Sequence, residues 1–313
     1  MDLPPEILHL PYDPGPYRLA MGLQACAPTA LIEIDNACPD QLAERARLLA
    51  TRRSDVLANT PGSAAACDEL AAHLRAGLPV WFPDIYRPTT HGLENRLSGE
   101  VLDHAAMPPL EWIGRMVAED FCLIRPTDVG ALLVAAVLCF PARWVLAEKL
   151  GRPLNGVHER VPGYGEKLAA PVDRFMRNLK PGRVAMRLNW SVNDDPALFQ
   201  QSGKFRDGPD PSVTAGNALE KLFLRVERQT FIFLPTSRTV AFGIRTHVTS
   251  LRHVVAIPGE AARLADAVRA LPAEMALYKS LGRFRDALLA ALGREAHFAS
   301  GRGTNTGGTS SSD

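Results

Sequence analysis

Three stretches of this chain carry an arginine and further polar side chains at every second position. They are Arg187, Asn189 and Ser191 in VAMRLNWSVN, Arg225, Glu227 and Gln229 in LFLRVERQTFIFL, and Arg245 with His247 in TVAFGIRTHV. Side chains on a strand alternate between faces, so each stretch read as a strand has a polar row. The greasy rows are Met186, Leu188 and Trp190, then Leu224 and Val226, then Phe242 and Ile244. If the polar rows align, several guanidinium groups converge on one surface, and their fixed forks suit carboxylates or phosphates. A solvated sheet face with Arg–Glu cross-strand pairs produces the same pattern without any ligand. Arg228 breaks the alternation, which marks a bulge or a side chain turned to the other face.

His158 lies between helix-like and strand-like segments within Trp144–Pro196. A lone histidine before a helix ordinarily caps it or faces solvent. The remaining histidines form no HxH, HExxH or Cys/His cluster, which disfavours a multi-ligand zinc site, whereas haem needs only one protein nitrogen. GxGxxG after a strand, GxxxxGK[ST] and GxSxG are all absent. GYGEKL reads as a helix-entry turn, and Asp194-Asp195 before Pro196 as a turn or cap.

The elements that must position these residues follow from periodicity. YRLAMGLQA and LIEID read as strands, 39–58 and 62–76 as helices, and 108–119 as a helix leading into the strands FCLIRP and ALLVAAVLCF around a turn at Thr127–Gly130. A helix opens near Pro162 and ends at Pro181-Gly182. Strands at 184–193, 222–234 and 239–248 follow, the last two joined by a turn at Pro235–Arg238. Residues 260–296 read as two closing helices broken near Leu271-Pro272. The fold class is therefore α+β: an antiparallel sheet with helices packed around it and added N- and C-terminal helices. One domain is expected over residues 1–298, with a disordered tail at 299–313.

Thirty-five Lys and Arg against 34 acids give a net charge of +1, so no overall pull toward nucleic acid or anionic membrane is expected. Five cysteines without a CxxC pair suit reduced thiols packed in a core. The ten-residue apolar run at 131–140 is too short to span a bilayer. MDLPPEILHL has no signal-peptide pattern, so a cytoplasmic location is expected.

HERVPGYGEKL, VDRFMRNLKPGRVAMRLNWSVNDDPALFQ, LFLRVERQTFIFLP and FGIRTHV, in that order, resemble the haem-dependent oxidative N-demethylase alpha-subunit family. The resemblance runs from PYDPGPYRLAMGL through LCFPARWVLAEKLGRPLNGVH to LPAEMALYKSLGRFRDALLAAL. It implies a PAS-like fold binding haem b, with O2 activated at the iron oxidising an N-methyl group of a small, dimethylamine-like amine and formaldehyde released. His158, in the context VHERVPGY, is the implied iron ligand. Arg187, Arg225, Arg228 and Arg245 become candidates for the haem propionates, and Glu227 and Asn189 for orienting the amine or bound oxygen. FMN, an iron–sulfur centre and NADPH are implied only on partner reductase subunits. The chain departs from the family pattern at Glu159-Arg160 and at His247, which makes His247 the alternative iron ligand. A haem-based PAS sensor or binding protein without turnover is the alternative function.

Overall fold

The computed structural model describes residues 6–13, 15–203, 206 and 208–301. Its strands are β1 Gln24–Cys26, β2 Leu57–Asn59, β3 Tyr86–Thr89, β4 Gly92–Asn95, β5 Glu100–Leu102, β6 Asp120–Thr127, β7 Gly130–Val137, β8 Val184–Asn193, β9 Phe223–Leu234 and β10 Thr239–Ser250. Seven form one antiparallel sheet in the order β1-β8-β9-β10-β6-β7-β2, and β3-β4-β5 make a separate meander. The fold class is the expected one, a mixed α/β molecule with helices around an antiparallel sheet.

Two hairpins set the frame. β6 and β7 turn at Asp128-Val129, where Gly130 takes φ 114°, a value that suits glycine. β9 and β10, twelve residues each and rich in aromatic and β-branched side chains, pair over their full length, with Arg238 at φ 54° in the turn. Gly243 on β10 is needed for close packing, because a Cβ there would meet Thr230 Oγ1 at 2.6 Å and the Phe121 ring at 3.0 Å.

Several expected elements differ. LIEID is not a strand: residues 28–31 form a 3-10 turn, and the chain then runs irregularly while burying Leu31 and Ile32. Only Gln24–Cys26 pairs in the preceding segment. The helix expected over 39–58 ends at Thr51, a short helix follows at Arg53–Val56, and β2 takes Leu57–Asn59. The closing region is three helices, Glu260–Ala270, Ala273–Tyr278 and Arg285–Gly301. The tail expected over 299–313 overlaps the last helix as far as Gly301, and residues 302–313 lie outside the described residues.

The sheet's two faces are packed differently. One, called here the back, bears Phe121, Leu123 and Ile232 and packs on the helices Cys38–Thr51, Ala64–Trp81 and Pro109–Met116. Leu188, Trp190, Leu224 and Val226, also on the back, pack against the closing helices. The other, front, face bears Ala185, Phe231, Phe242 and Cys122 and looks toward Leu154, Met176 and the segment 11–21. No helix among the described residues is long and apolar enough to cross a membrane.

Candidate functional site

Register decides which polar rows share a face, because residues directly opposite in an antiparallel pair point the same way. Arg187 lies opposite Gln229, Asn189 opposite Glu227, and Ser191 opposite Arg225. These six residues are therefore on the front. Arg245 lies opposite Arg228, and His247 opposite Val226, on the back. The expected convergence of three rows is thus corrected to two, and Arg228 and Arg245 are separated from Arg187 by the thickness of the sheet.

The front face floors a cavity of about 1090 Å3, just above the roughly 300–1,000 Å3 usual for ligand sites. Arg187, Asn189, Glu227 and Gln229 form a polar strip on it. Ile124, Leu133, Phe231, Phe242 and Met176 supply apolar wall, with the Phe231 and Phe242 rings stacked 4.7 Å apart. His158 stands in the opposing wall, after the short helix Leu154–Val157. Gly163 in the left-handed region (φ 71°) then starts the helix Tyr164–Lys167, so GYGEKL is the expected helix-entry turn. That turn brings the Tyr164 ring against His158, stacked at 4.6 Å.

His158 Nδ1 lies 2.9 Å from the Leu154 carbonyl oxygen, which can only accept, so Nδ1 carries the proton. In the neutral ring the lone pair then resides on Nε2, the tautomer used by metal-bound histidines whose other nitrogen is held by a backbone carbonyl.

Arg187 makes no hydrogen bond or ion pair with any of the described residues, and its Nε is sealed from solvent. Burial lowers its pKa, and Glu227, Tyr17 and Tyr164 only partly oppose that loss. A half-buried guanidinium in that condition calls for an anion. Glu227, by contrast, is engaged: Oε2 accepts from Gln229 Nε2 at 2.9 Å and from Asn189 Nδ2 at 3.3 Å. Lys279 lies at the end of the strip, its Nζ 5.5 Å from the Trp190 ring and near Asn189 Oδ1. Tyr164 and Tyr278 also line the cavity, and burial pushes each phenol up to about 12, keeping both protonated as donors.

The other sequence candidates have protein partners. Arg225, 1% exposed, donates to the Phe140 carbonyl at 2.7 Å and reaches those of Ala197 and Leu198, outside the cavity lining. Arg228 pairs with Glu33 at 3.2 Å and donates to the Ala30 carbonyl. Arg245, fully buried, pairs with Asp35 at 2.5 Å and donates to Gln41. His247 sits between Glu33 (2.8 Å) and Asp35 (3.3 Å) on the back, away from His158. Asp194 pairs with Arg143 and Arg206, and Asp195 closes a turn on the Ala197 amide, as expected of a turn.

Sequence reasoning missed the segment 11–21, which contributes Tyr17 and Arg18 to the cavity, and missed Tyr164, Tyr278 and Lys279. The strand expected from Tyr17 pairs only at Gln24–Cys26, and nothing in the pattern of the residues before it signals that they line a cavity. VPGY, however, already placed Tyr164 six residues from His158.

A mixed α/β protein with a large sheet-floored cavity, an oriented histidine in its wall and, on its floor, an arginine without an ion pair among the described residues is a candidate binder of a large, partly anionic, metal-bearing group. The chain belongs to the family described as haem-dependent oxidative N-demethylase, alpha subunit-like, whose family model matches residues 22–289. Membership points to haem as cofactor, to an oxidative N-demethylase-like enzyme, and, as an alpha subunit, to partner subunits.

Proposed function

We propose that the front cavity holds haem b with His158 as the iron ligand, and that the chain catalyses oxidative N-demethylation of a small alkylamine such as dimethylamine. The observation that carries the reading is the presence in one cavity of a tautomer-fixed His158 and of Arg187, which has no ion pair among the described residues. The residues fit the group: the apolar walls suit a macrocycle, and Arg187 suits a propionate carboxylate. The order of the five long strands, β8-β9-β10-β6-β7, supports the PAS-like reading of residues 1–298 as one haem-binding unit.

When bound, haem supplies the oxidation of the N-methyl carbon by O2, with electrons from reductase subunits that carry FMN, iron–sulfur and NADPH sites. The chain's own residues bind and orient. Glu227, held by Asn189 and Gln229, offers a fixed carboxylate for an ammonium, and Asn189 keeps that carboxylate in place. Tyr278 and Tyr164, protonated through the physiological range, line the same cavity.

The test is to supply the haem-loaded protein with a chemical reductant, O2 and dimethylamine, and to follow O2 consumption and formaldehyde. Turnover that falls roughly ten- to a hundredfold in Glu227→Gln is expected, corresponding to loss of a charge-assisted contact of about 1.5–3 kcal/mol. A red protein that binds O2 but releases no formaldehyde from any short N-methylamine contradicts the enzymatic reading and leaves a sensor.

A further inference from the structure

On the back of the sheet, away from the cavity, His9, Glu33 and His247 converge from three separate parts of the chain. One ligand-type atom from each lies within 4.8 Å of the others. His9 Nε2 is 2.9 Å from Glu33 Oε2, and His247 Nε2 is 2.8 Å from Glu33 Oε1. The His247 ring is further gripped by Asp35, whose Oδ2 lies 3.3 Å from Nδ1, and Asp35 is itself held by Arg245. These contacts supply the protein half of a carboxylate–histidine–metal relay: Nδ1–H faces Asp35, and the Nε2 proton, directed at Glu33, stands where an ion would bind.

Both nitrogens of His247 face carboxylate oxygens, which only accept. Each nitrogen must therefore present positive charge, either as a proton or through a metal ion. Burial pushes the Glu33 carboxyl up, but the hydrogen bonds from His247 and His9 outweigh it and hold the group down at about 2, in the ligating form. We propose that His9, Glu33 and His247 bind a Zn2+ ion, with solvent completing the shell, since His9 and Glu33 each keep 17% side-chain exposure. The ion replaces the two Nε2 protons that now bridge to Glu33. Arg228, 3.2 Å from Glu33 Oε2, opposes the dication and makes this site weaker than one without a neighbouring guanidinium.

The consequence reaches the front face. The segment that follows His9 is pinned by Tyr12, whose hydroxyl donates to Glu260 at 2.8 Å, and lines the cavity with Pro11, Asp13 and residues 15–21. Zinc at His9 would fasten this strap to β10 and the 31–35 segment, and so hold the cavity wall.

The experiment titrates ZnCl2 into chelator-treated, desalted full-length protein, reading heat and melting temperature, alongside a zinc K-edge absorption spectrum of the wild type. The proposal expects one ion per chain, a raised melting temperature, and two imidazole ligands with no sulfur. Binding should be lost in His9→Ala and Glu33→Gln and kept in His158→Ala, which separates this site from the haem cavity. The first variant alters only a partly exposed side chain, and its fold is checked by circular dichroism. Absence of zinc uptake, sulfur ligation, or unchanged binding in folded His9→Ala overturns it. The first of these outcomes would leave an imidazolium bridged by protons.

Discussion

The two faces of β8–β10 use the same residue types for opposite ends. On the back, Arg228 and Arg245 are each paired with a carboxylate, and two histidines share Glu33. On the front, Arg187 forms no ion pair among the described residues and feels Glu227 only at a distance, while Glu227 accepts from the amides of Asn189 and Gln229. Arginines that are ion-paired stabilise the molecule even where single nitrogens such as Arg245 Nε stay unbonded, whereas one without an ion pair is ready for a ligand. Residue type does not separate the two, but the inventory of partners does.

The largest effect that sharpens the contrast lies on the back. Arg245→Met removes one member of a buried pair and strands Asp35, so it should cost about 3–5 kcal/mol of unfolding free energy, read by denaturant titration. A loss below about 1 kcal/mol would mean that the network is not a stabilising unit.

What the sequence reveals of this contrast has a physical limit. Alternation along each strand was readable, and so were both hairpin turns, the greasy rows and the His158 segment. Register was not, and a one-residue difference in pairing moves a whole row to the other face. Arg245 therefore looks equivalent to Arg187 in sequence, although it sits opposite Arg228 on the back. LIEID shows why alternation can mislead. Its Leu31 and Ile32 are buried and its Glu33 and Asp35 serve the histidines and arginines, yet the segment pairs with no strand.

The pH dependence of stability tests the same network. Glu33 is held down at about 2, so its contribution, on the order of 3 kcal/mol, is complete above the ordinary carboxylate value of about 4.3 and is lost as pH falls toward 2. His247 acts in the opposite sense. Burial lowers its pKa, but Asp35 and Glu33 outweigh that and raise it, so its contribution is complete below about 6.5 and fades as pH rises through the elevated value. Thermal melts from pH 2 to 9 in chelator should show loss on both sides, and Glu33→Gln should flatten both limbs.

The front-face arginine should behave differently. Arg187→Met removes a charge that has no ion pair among the described residues, so the haem-free protein should keep or gain stability, while haem affinity falls by about 1.5–3 kcal/mol, measured by haem titration. Destabilised apoprotein with unchanged haem affinity would reverse the assignment of the two faces.

The visible spectrum of haem-supplemented protein, wild type against His158→Ala, bears most directly on the cavity. The account predicts a one-to-one haem complex with the Soret band of a histidine-ligated iron in the wild type, and its loss or displacement in the folded variant, with imidazole restoring it. Identical spectra from the two proteins, or a folded wild type that stays colourless with haem, would contradict it.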